Sequence, residues 1–201
     1  MTIDIPTDKL APSAPEVVLG RRTRLRALQM ADYGWLYETL TDMDAVGRWR
    51  FRGAPPEPEH FPDVLWLGVQ TQLVVESLQG EPIGLVTSYG ADLRSGYTKV
   101  ACVFRPEFQQ RGWPFEGVLR FVHHLLTHWP LRKIYFEAPA PVAKDAGLAT
   151  VAGDLLVPEA CLTDHDLFDG RHVDLAIYAL TRDRFYARFG ALLDRPVEVN
   201  A

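Results

Sequence analysis

The stretch from Gly96 to Ala140 restricts the possible folds more than any other. "GYTKVACVFRP" (96–106) alternates as a strand and stops at a proline. "PFEGVLRFVHHLLTHW" (114–129) is the strongest helical pattern in the chain, and "RKIYFEAPA" (132–140) is an apolar strand. Strand, helix and strand in that order form a crossover, which sets the two strands parallel in one sheet. Phe115, Val118, Val122, Leu125 and Trp129 recur as the core stripe of the helix, with Arg120, His124 and His128 on its opposite face. Upstream, "QLVVESLQ" and "PIGLVTSYGAD" flank a turn at Gly80 and join 96–106 in a predicted antiparallel meander.

The rest of the chain fits around this unit. "RRTRLRAL" (21–28) alternates as a strand with one basic face. "MADYGWLYETLTD" (30–42) has Trp35, Leu36 and Leu40 at helical spacing and Asp32 near its start, where the helix dipole favours an acid. "GRWRFRGAPPEPEHFPDV" (47–64) is irregular, with a short helix from about Glu57. After the crossover, "APVAKDAGLATVAG" is a weak helix or loop. "EACLTDHDLF" and "RHVDLAIYALT" form a hairpin about Asp169–Gly170, and "RDRFYARFGALL" is a last helix. This order belongs to one mixed α/β (α+β) layer: a mostly antiparallel central sheet with one parallel pair, flanked by helices. The expected domain spans residues 19–192, with a flexible arm over 1–18 and a polar tail over 193–201.

Composition excludes several classes. A net charge of -5 argues against a general nucleic-acid binder. No window approaches the roughly 18 apolar residues of a membrane span, and "MTIDIPTDKLAPSAPEVVLG" lacks the pattern of a secretory signal. The only cysteines, Cys102 and Cys161, sit in apolar strands, so two buried thiols and a cytoplasmic location are expected. No metal is expected. His124 and His128 are four apart, but no Glu lies between them as a general base. Turn chemistry accounts for His165, Asp166 and His172.

"RPEFQQRGWPFEG" (105–117) joins strand to helix through a short basic turn. The first N–H groups of a helix have no partners within it and attract phosphate. Pro114 has no N–H to offer, although proline is favoured at a helix start.

In sequence and order these motifs resemble the GNAT-superfamily acyltransferases, nearest to the branch that acetylates the N-termini of ribosomal proteins. The branch's acyl-CoA loop, P-E-x-Q-G-K-G-Y-G-T-E-A, is matched by Pro106-Glu107-Phe108-Gln109-Gln110-Arg111-Gly112-Trp113-Pro114-Phe115-Glu116-Gly117. Its closing hairpin is matched by Leu162, His165, Asp169, Gly170, Arg171, Asp174 and Tyr178. "LRAL", "PIGLV" and "LRKIYFE" also agree in character and order. The resemblance covers roughly residues 19–190 and implies a GNAT fold with a splayed parallel strand pair.

It also implies acetyl-CoA or another acyl-CoA as co-substrate. The pantetheine arm would pair with the strand at Cys102, Val103 and Phe104. The pyrophosphate would rest on N–H groups of Gln110, Arg111, Gly112, Trp113, Phe115 and Glu116. The usual base, a Glu on the strand before the loop, is missing from "YTKVACV". The usual Tyr acid is missing from "APAPVAKDAGLATVAG". Two bases remain as candidates: His165, whose imidazole can accept a proton directly or through water, and Glu137 at the end of the following strand. Cys161 lacks a paired base for nucleophilic work.

Arg50 and Arg52, in the family's acceptor region, suit a carboxylate or phosphate, and Trp66 suits an apolar slot. The expected reaction is transfer of an acyl group to a primary amine of a peptide N-terminus or small molecule. Other readings are an acyl-carrier-protein donor, a non-catalytic binding module and, more distantly, a zinc hydrolase. The sequence does not set the oligomeric state, and a homodimer is compatible with it.

Overall fold

The computed structural model describes residues 16–19, 21–42, 49–51, 53–108, 112–145 and 155–193. Residues 1–15 of the expected arm over 1–18, and residues 194–201 of the expected tail over 193–201, lie outside them. The elements in chain order are β1 (Glu16–Leu19), β2 (Thr23–Arg26), α1 (Asp32–Thr41), α2 (Phe61–Trp66), β3 (Val69–Ser77), β4 (Pro82–Asp92), β5 (Tyr97–Phe104), a 3-10 turn (Pro106–Phe108), α3 (Trp113–His128), β6 (Lys133–Pro139), α4 (Ala140–Asp145), β7 (Val157–Phe168), β8 (Arg171–Thr181) and α5 (Arg182–Leu193).

Among the described residues the strands form one eight-stranded sheet in the order β1-β2-β3-β4-β5-β6-β8-β7. β5 and β6 are parallel and every other neighbouring pair is antiparallel. The meander, the crossover through α3 and the hairpin at Asp169–Gly170 are all present. Asp169 and Gly170 both take positive φ, at 48° and 75°, as a tight hairpin turn requires. The sheet begins at Glu16, where β1 pairs with β2.

Two apolar cores lie on opposite faces of the sheet. α3 covers one, packing Leu119, Phe121, Val122, Leu125 and Leu126 against Leu25, Leu73, Val75, Ile83, Val86 and Val100. α1 and α2 cover the other with Leu36, Leu40, Phe61 and Leu65 over Val74 and Leu85. The α3 stripe differs from the expected one. Phe115 is 52% exposed and Arg120 only 8% exposed. The helix is covered by the sheet and also by α5, whose Phe185 and Tyr186 meet His123 at ring distances of 6.4 and 5.9 Å. Two covering layers bury a wider arc than a single stripe predicts. Arg182, at the start of α5, donates to the carbonyls of Leu126, Trp129 and Leu131 at 2.6, 3.2 and 2.8 Å, satisfying the end of α3 and the turn after it.

The basic face of β2 is not solvated. Arg26 forks onto both carboxylate oxygens of Asp32 at 2.6 and 2.8 Å, and its Nε reaches Glu76 at 2.8 Å. Arg24 also meets Glu76, at 2.5 Å. Burial alone would raise the Asp32 carboxyl; Arg26, the Gln29 N–H and the Trp35 indole outweigh it and hold the group below the ordinary value. The network ties the first turn of α1 to the sheet. Asp32→Asn would remove one of the two carboxylates on Arg26 and leave Glu76 as the other, so chemical denaturation should show a loss of about 1.5–3 kcal/mol, the worth of a charge-assisted hydrogen bond.

Both thiols depart from the sequence expectation: Cys102 and Cys161 are exposed. Cys161 lies on β7, an edge strand most of whose residues are exposed. Cys102 lies on the part of β5 that borders a cleft, described next.

Candidate active site

The parallel ladder is short. Tyr97 pairs with Lys133, Thr98 with Ile134 and Lys99 with Tyr135, and there the pairing ends. β5 nevertheless continues on β4 as far as Phe104, paired with Gly84. β6 continues on β8 as far as Pro139, paired with Leu175. The two strands therefore diverge into a V whose β5 side carries Val100–Val103. Backbone groups on such an edge need a partner, and an extended ligand with amides of its own can supply one. Gly84 lets β5 lie as it does: a Cβ there would be 2.3 Å from the Val103 carbonyl oxygen and 2.5 Å from the Phe104 ring.

A charged pair straddles the vertex. Lys99 Nζ lies 2.9 and 3.1 Å from the two Glu137 carboxylate oxygens. Strand alternation places Lys99 on the same face as Ala101 and Val103, and those two pack toward the α1/α2 core. Glu137 therefore opens on the α1/α2 side. His165 is elsewhere. It is exposed on β7, where the register shifts between Leu162 and Asp166 and Asp164 takes φ 49°. β7 is separated from β6 by β8, so two strand intervals, roughly 10 Å, lie between them. The structure does not bring the two candidate bases together.

Beyond the V, the chain turns into α3. Phe108 is buried and stacks on Trp113 at 5.5 Å, anchoring the turn. Gly112 is the N-cap of α3 with φ 72°, a left-handed conformation that costs glycine little. Glu116 N–H closes the first helical bond onto the Gly112 carbonyl at 3.3 Å. The positions before it are those a helix leaves without intrahelical acceptors; Gly112 and Phe115 are among them, and Pro114 has no N–H. Glu116 itself is committed elsewhere: its carboxylate accepts the N–H groups of Arg21 and Arg22 at 2.5 and 3.1 Å. Gln110 and Arg111 lie outside the described residues.

Arg105 serves the structure. It pairs with Glu107 at 2.8 Å and donates to the Pro82 carbonyl at 3.3 Å. Sequence reasoning missed Arg22. Its Nη1 lies 3.9 Å from where a Cβ of Gly112 would be, so a cation from the β1–β2 turn stands beside the helix start. Nothing local in the sequence signals this, since the two residues are ninety positions apart.

The acceptor-side candidates fare unequally. Arg50 is half-buried over the Tyr89 ring at 4.8 Å and donates to the Leu65 and Leu67 carbonyls. It caps the end of α2, and burial holds its pKa below the ordinary arginine value. Arg52 lies outside the described residues. Trp66 is 44% exposed and its indole donates to Tyr33 Oη at 3.0 Å. Gln72 and Thr87 pair across β3 and β4, and their buried side-chain oxygens and the Gln72 amide nitrogen have no hydrogen-bond partner. Among the described residues no three metal-ligating side chains converge, and no helix is long and apolar enough to cross a membrane.

Cys102 borders the V on the α3 side. Its surface is open to solvent, while the protein packed around it pushes the thiol up to about 11. A thiol that holds its proton this firmly is a poor nucleophile at neutral pH and a poor acid toward a leaving thiolate.

A mixed sheet with one parallel pair opening into a V, followed by a glycine-capped helix, is the fold of the GNAT N-acetyltransferases, and this chain has it. The spermidine N-acetyltransferase of Vibrio cholerae, solved with CoA and spermine, superposes with a TM-score of 0.71 at 21% identity, over 83% of this chain and 99% of that one. The spermidine/spermine N-acetyltransferase SpeG of the same organism, solved with manganese ions, gives 0.65 at 21% identity, over 83% and 96%. A chimera of that enzyme with hSSAT gives 0.69 at 19% identity, over 82% and 98%. At the level of sequence, no family model and no curated protein matches.

In a Cys161→Ser background, iodoacetamide should label Cys102 slowly at pH 8 and progressively faster toward pH 11, because only the thiolate reacts. Intact-mass measurement across that range checks it; rapid labelling at pH 7 would contradict a sheltered thiol.

Proposed function

We propose that the chain is an N-acyltransferase that moves an acetyl group from acetyl-CoA to the primary amine of a small molecule. The observation that carries this reading is the divergence of β5 and β6 beyond Lys99 and Tyr135, with a carboxylate held at the vertex. The pantetheine arm would lie along Val100–Val103 of β5, and its diphosphate would meet Gly112 and the first turn of α3, with Arg22 supplying charge. Spermidine acetyltransferases of the same fold support a small, cationic acceptor. An ammonium approaching from the α1/α2 side would meet Glu137.

Glu137 takes the base role in this scheme, directly or through one water. The amine nitrogen attacks the thioester carbonyl carbon, the carbon–sulfur bond breaks, and CoA leaves as a thiolate. The amine's proton passes to Glu137 and then to solvent, and the thiolate is protonated by water. Attack is direct, because Cys102 keeps its proton at neutral pH. His165, exposed on β7, takes no part in this scheme.

Saturating acetyl-CoA should raise the melting temperature, since a ligand that binds only the native state stabilises it by mass action. With spermidine, simple diamines and short peptides as acceptors, turnover should favour the small amines. Glu137→Gln should lower kcat by about 10²–10⁴-fold, the usual worth of a positioned base, while His165→Ala leaves the pH–rate profile in place. A melting temperature indifferent to CoA, acetyl-CoA and longer acyl-CoAs would end the transferase reading. Preference for peptide N-termini would move the acceptor to the ribosomal-protein branch.

A further inference from the structure

The vertex of the V holds an amine of the protein's own. Lys99 is the last β5 residue in the parallel ladder, and the open edge begins at the next residue, Val100. Its Nζ lies 2.9 and 3.1 Å from the two carboxylate oxygens of Glu137. We propose that Lys99 is a self-acetylation site, where the protein transfers the acetyl group onto its own side chain; this rests on the donor and base readings above.

An acceptor amine needs a place beside the base and within reach of the thioester. Lys99 has the first already. For the second, alternation sets its side chain on the same face as Ala101 and Val103, which pack toward α1 and α2. That is the face from which an external amine would approach. The pair is not sealed, since the Lys99 and Glu137 side chains are 35% and 17% exposed. The flexible four-carbon stem of a lysine lets Nζ leave Glu137 for the carbonyl carbon while the sheet stays still. A tethered amine also needs no encounter: a reacting pair held roughly 3–3.5 Å apart is spared the entropy that a free amine must give up.

The other described lysines lack this placement. Lys133 pairs with Tyr97, two residues toward the closed end of the ladder, and its ammonium is held by Glu159 of β7. Lys144 is exposed on α4. The transfer balances without a further reactant. Lys99 gives one ammonium proton to Glu137, which passes it to solvent. The neutral nitrogen attacks the thioester carbonyl carbon, the carbon–sulfur bond breaks, and CoA leaves as a thiolate that water protonates. The surplus proton on nitrogen goes to Glu137 as the amide forms. An acetylated lysine carries no charge, so Glu137 loses its cation and is left for an external ammonium.

Peptide mapping by mass spectrometry, before and after incubation of the full chain with deuterated acetyl-CoA, tests this; the isotope separates newly added groups from any acquired during expression. Acetyl-Lys99 should reach one group per chain at a rate independent of protein concentration. Lys133 and Lys144 should stay at the level seen in the urea-unfolded chain. Lys99→Arg, which keeps a cation beside Glu137, should take up no group above that level. Glu137→Gln should slow the labelling about 10²–10⁴-fold, while acetyl-CoA still raises its melting temperature. Labelling of Lys144 as fast as Lys99, or a rate that climbs with protein concentration, would overturn the proposal. Absence of acetyl-Lys99 of either isotope, in a chain that acetyl-CoA stabilises against melting, would overturn it and leave the donor reading standing. Absence of both the label and the stabilisation would remove the two together.

Discussion

The structure depends on a parallel ladder that stops after three residue pairs. β4 holds β5 on one side and β8 holds β6 on the other, each well past the last shared pair. The two strands cannot close on each other without giving up those ladders, so the V is a consequence of the neighbouring register. An open strand edge inside a protein is unstable unless something pairs with it. The Lys99–Glu137 pair closes the vertex with charge, and the edge above it is left with the geometry of a missing strand. A pantetheine arm, with its own amides, is chemically suited to that place. The acyl-CoA reading grows from backbone geometry first and side chains second.

Much of the scaffold is legible in the sequence because it is written locally. The DG turn at Asp169–Gly170 needs positive φ and obtains it, and the meander and crossover follow from alternating runs and one strong helix. What could not be read is set by contacts between distant segments. Phe115 and Arg120 were assigned to the wrong sides of α3 because periodicity sees one covering layer, while α5 supplies a second from the far end of the chain. Cys102 has the apolar neighbours of a buried thiol, and only the ending of the β5–β6 ladder exposes it. Arg50 has the look of an anion binder, yet the carbonyls of Leu65 and Leu67 claim it. Alternation along β2 marks a basic face, but not that α1 brings Asp32 down onto it.

The arginines divide by what neutralises them. Arg26, Arg50 and Arg182 each end on protein acceptors, two carboxylates in the first case and helix-end carbonyls in the others. They hold elements together. Arg21 and Arg22 differ: the contacts of the β1–β2 turn with Glu116 of α3 are made by their backbone N–H groups, and Arg22 Nη1 stands beside Gly112. An acid placed to bind the turn's backbone, and not its side chains, fixes the position of two cations without using their charge.

That arrangement bears on Pro114. In a phosphate-binding helix start, a proline in the first turn removes one donor, and the sequence alone offers nothing nearby in exchange except the basic loop itself. The structure places a cation there from across the fold. Proline presets the φ of the first turn, the glycine before it takes φ 72°, and Arg22 comes to rest beside that glycine, 3.9 Å from where a Cβ would be. A guanidinium presents several donors and a full charge where an amide presents one donor and a partial charge. Replacing an amide with an arginine from another element shifts recognition from the helix dipole toward charge pairing. The position of Arg22 in turn depends on Glu116, which holds the β1–β2 turn against α3. Pro114 and Arg22 therefore stand at one helix start, the first without an N–H and the second with a guanidinium group beside Gly112.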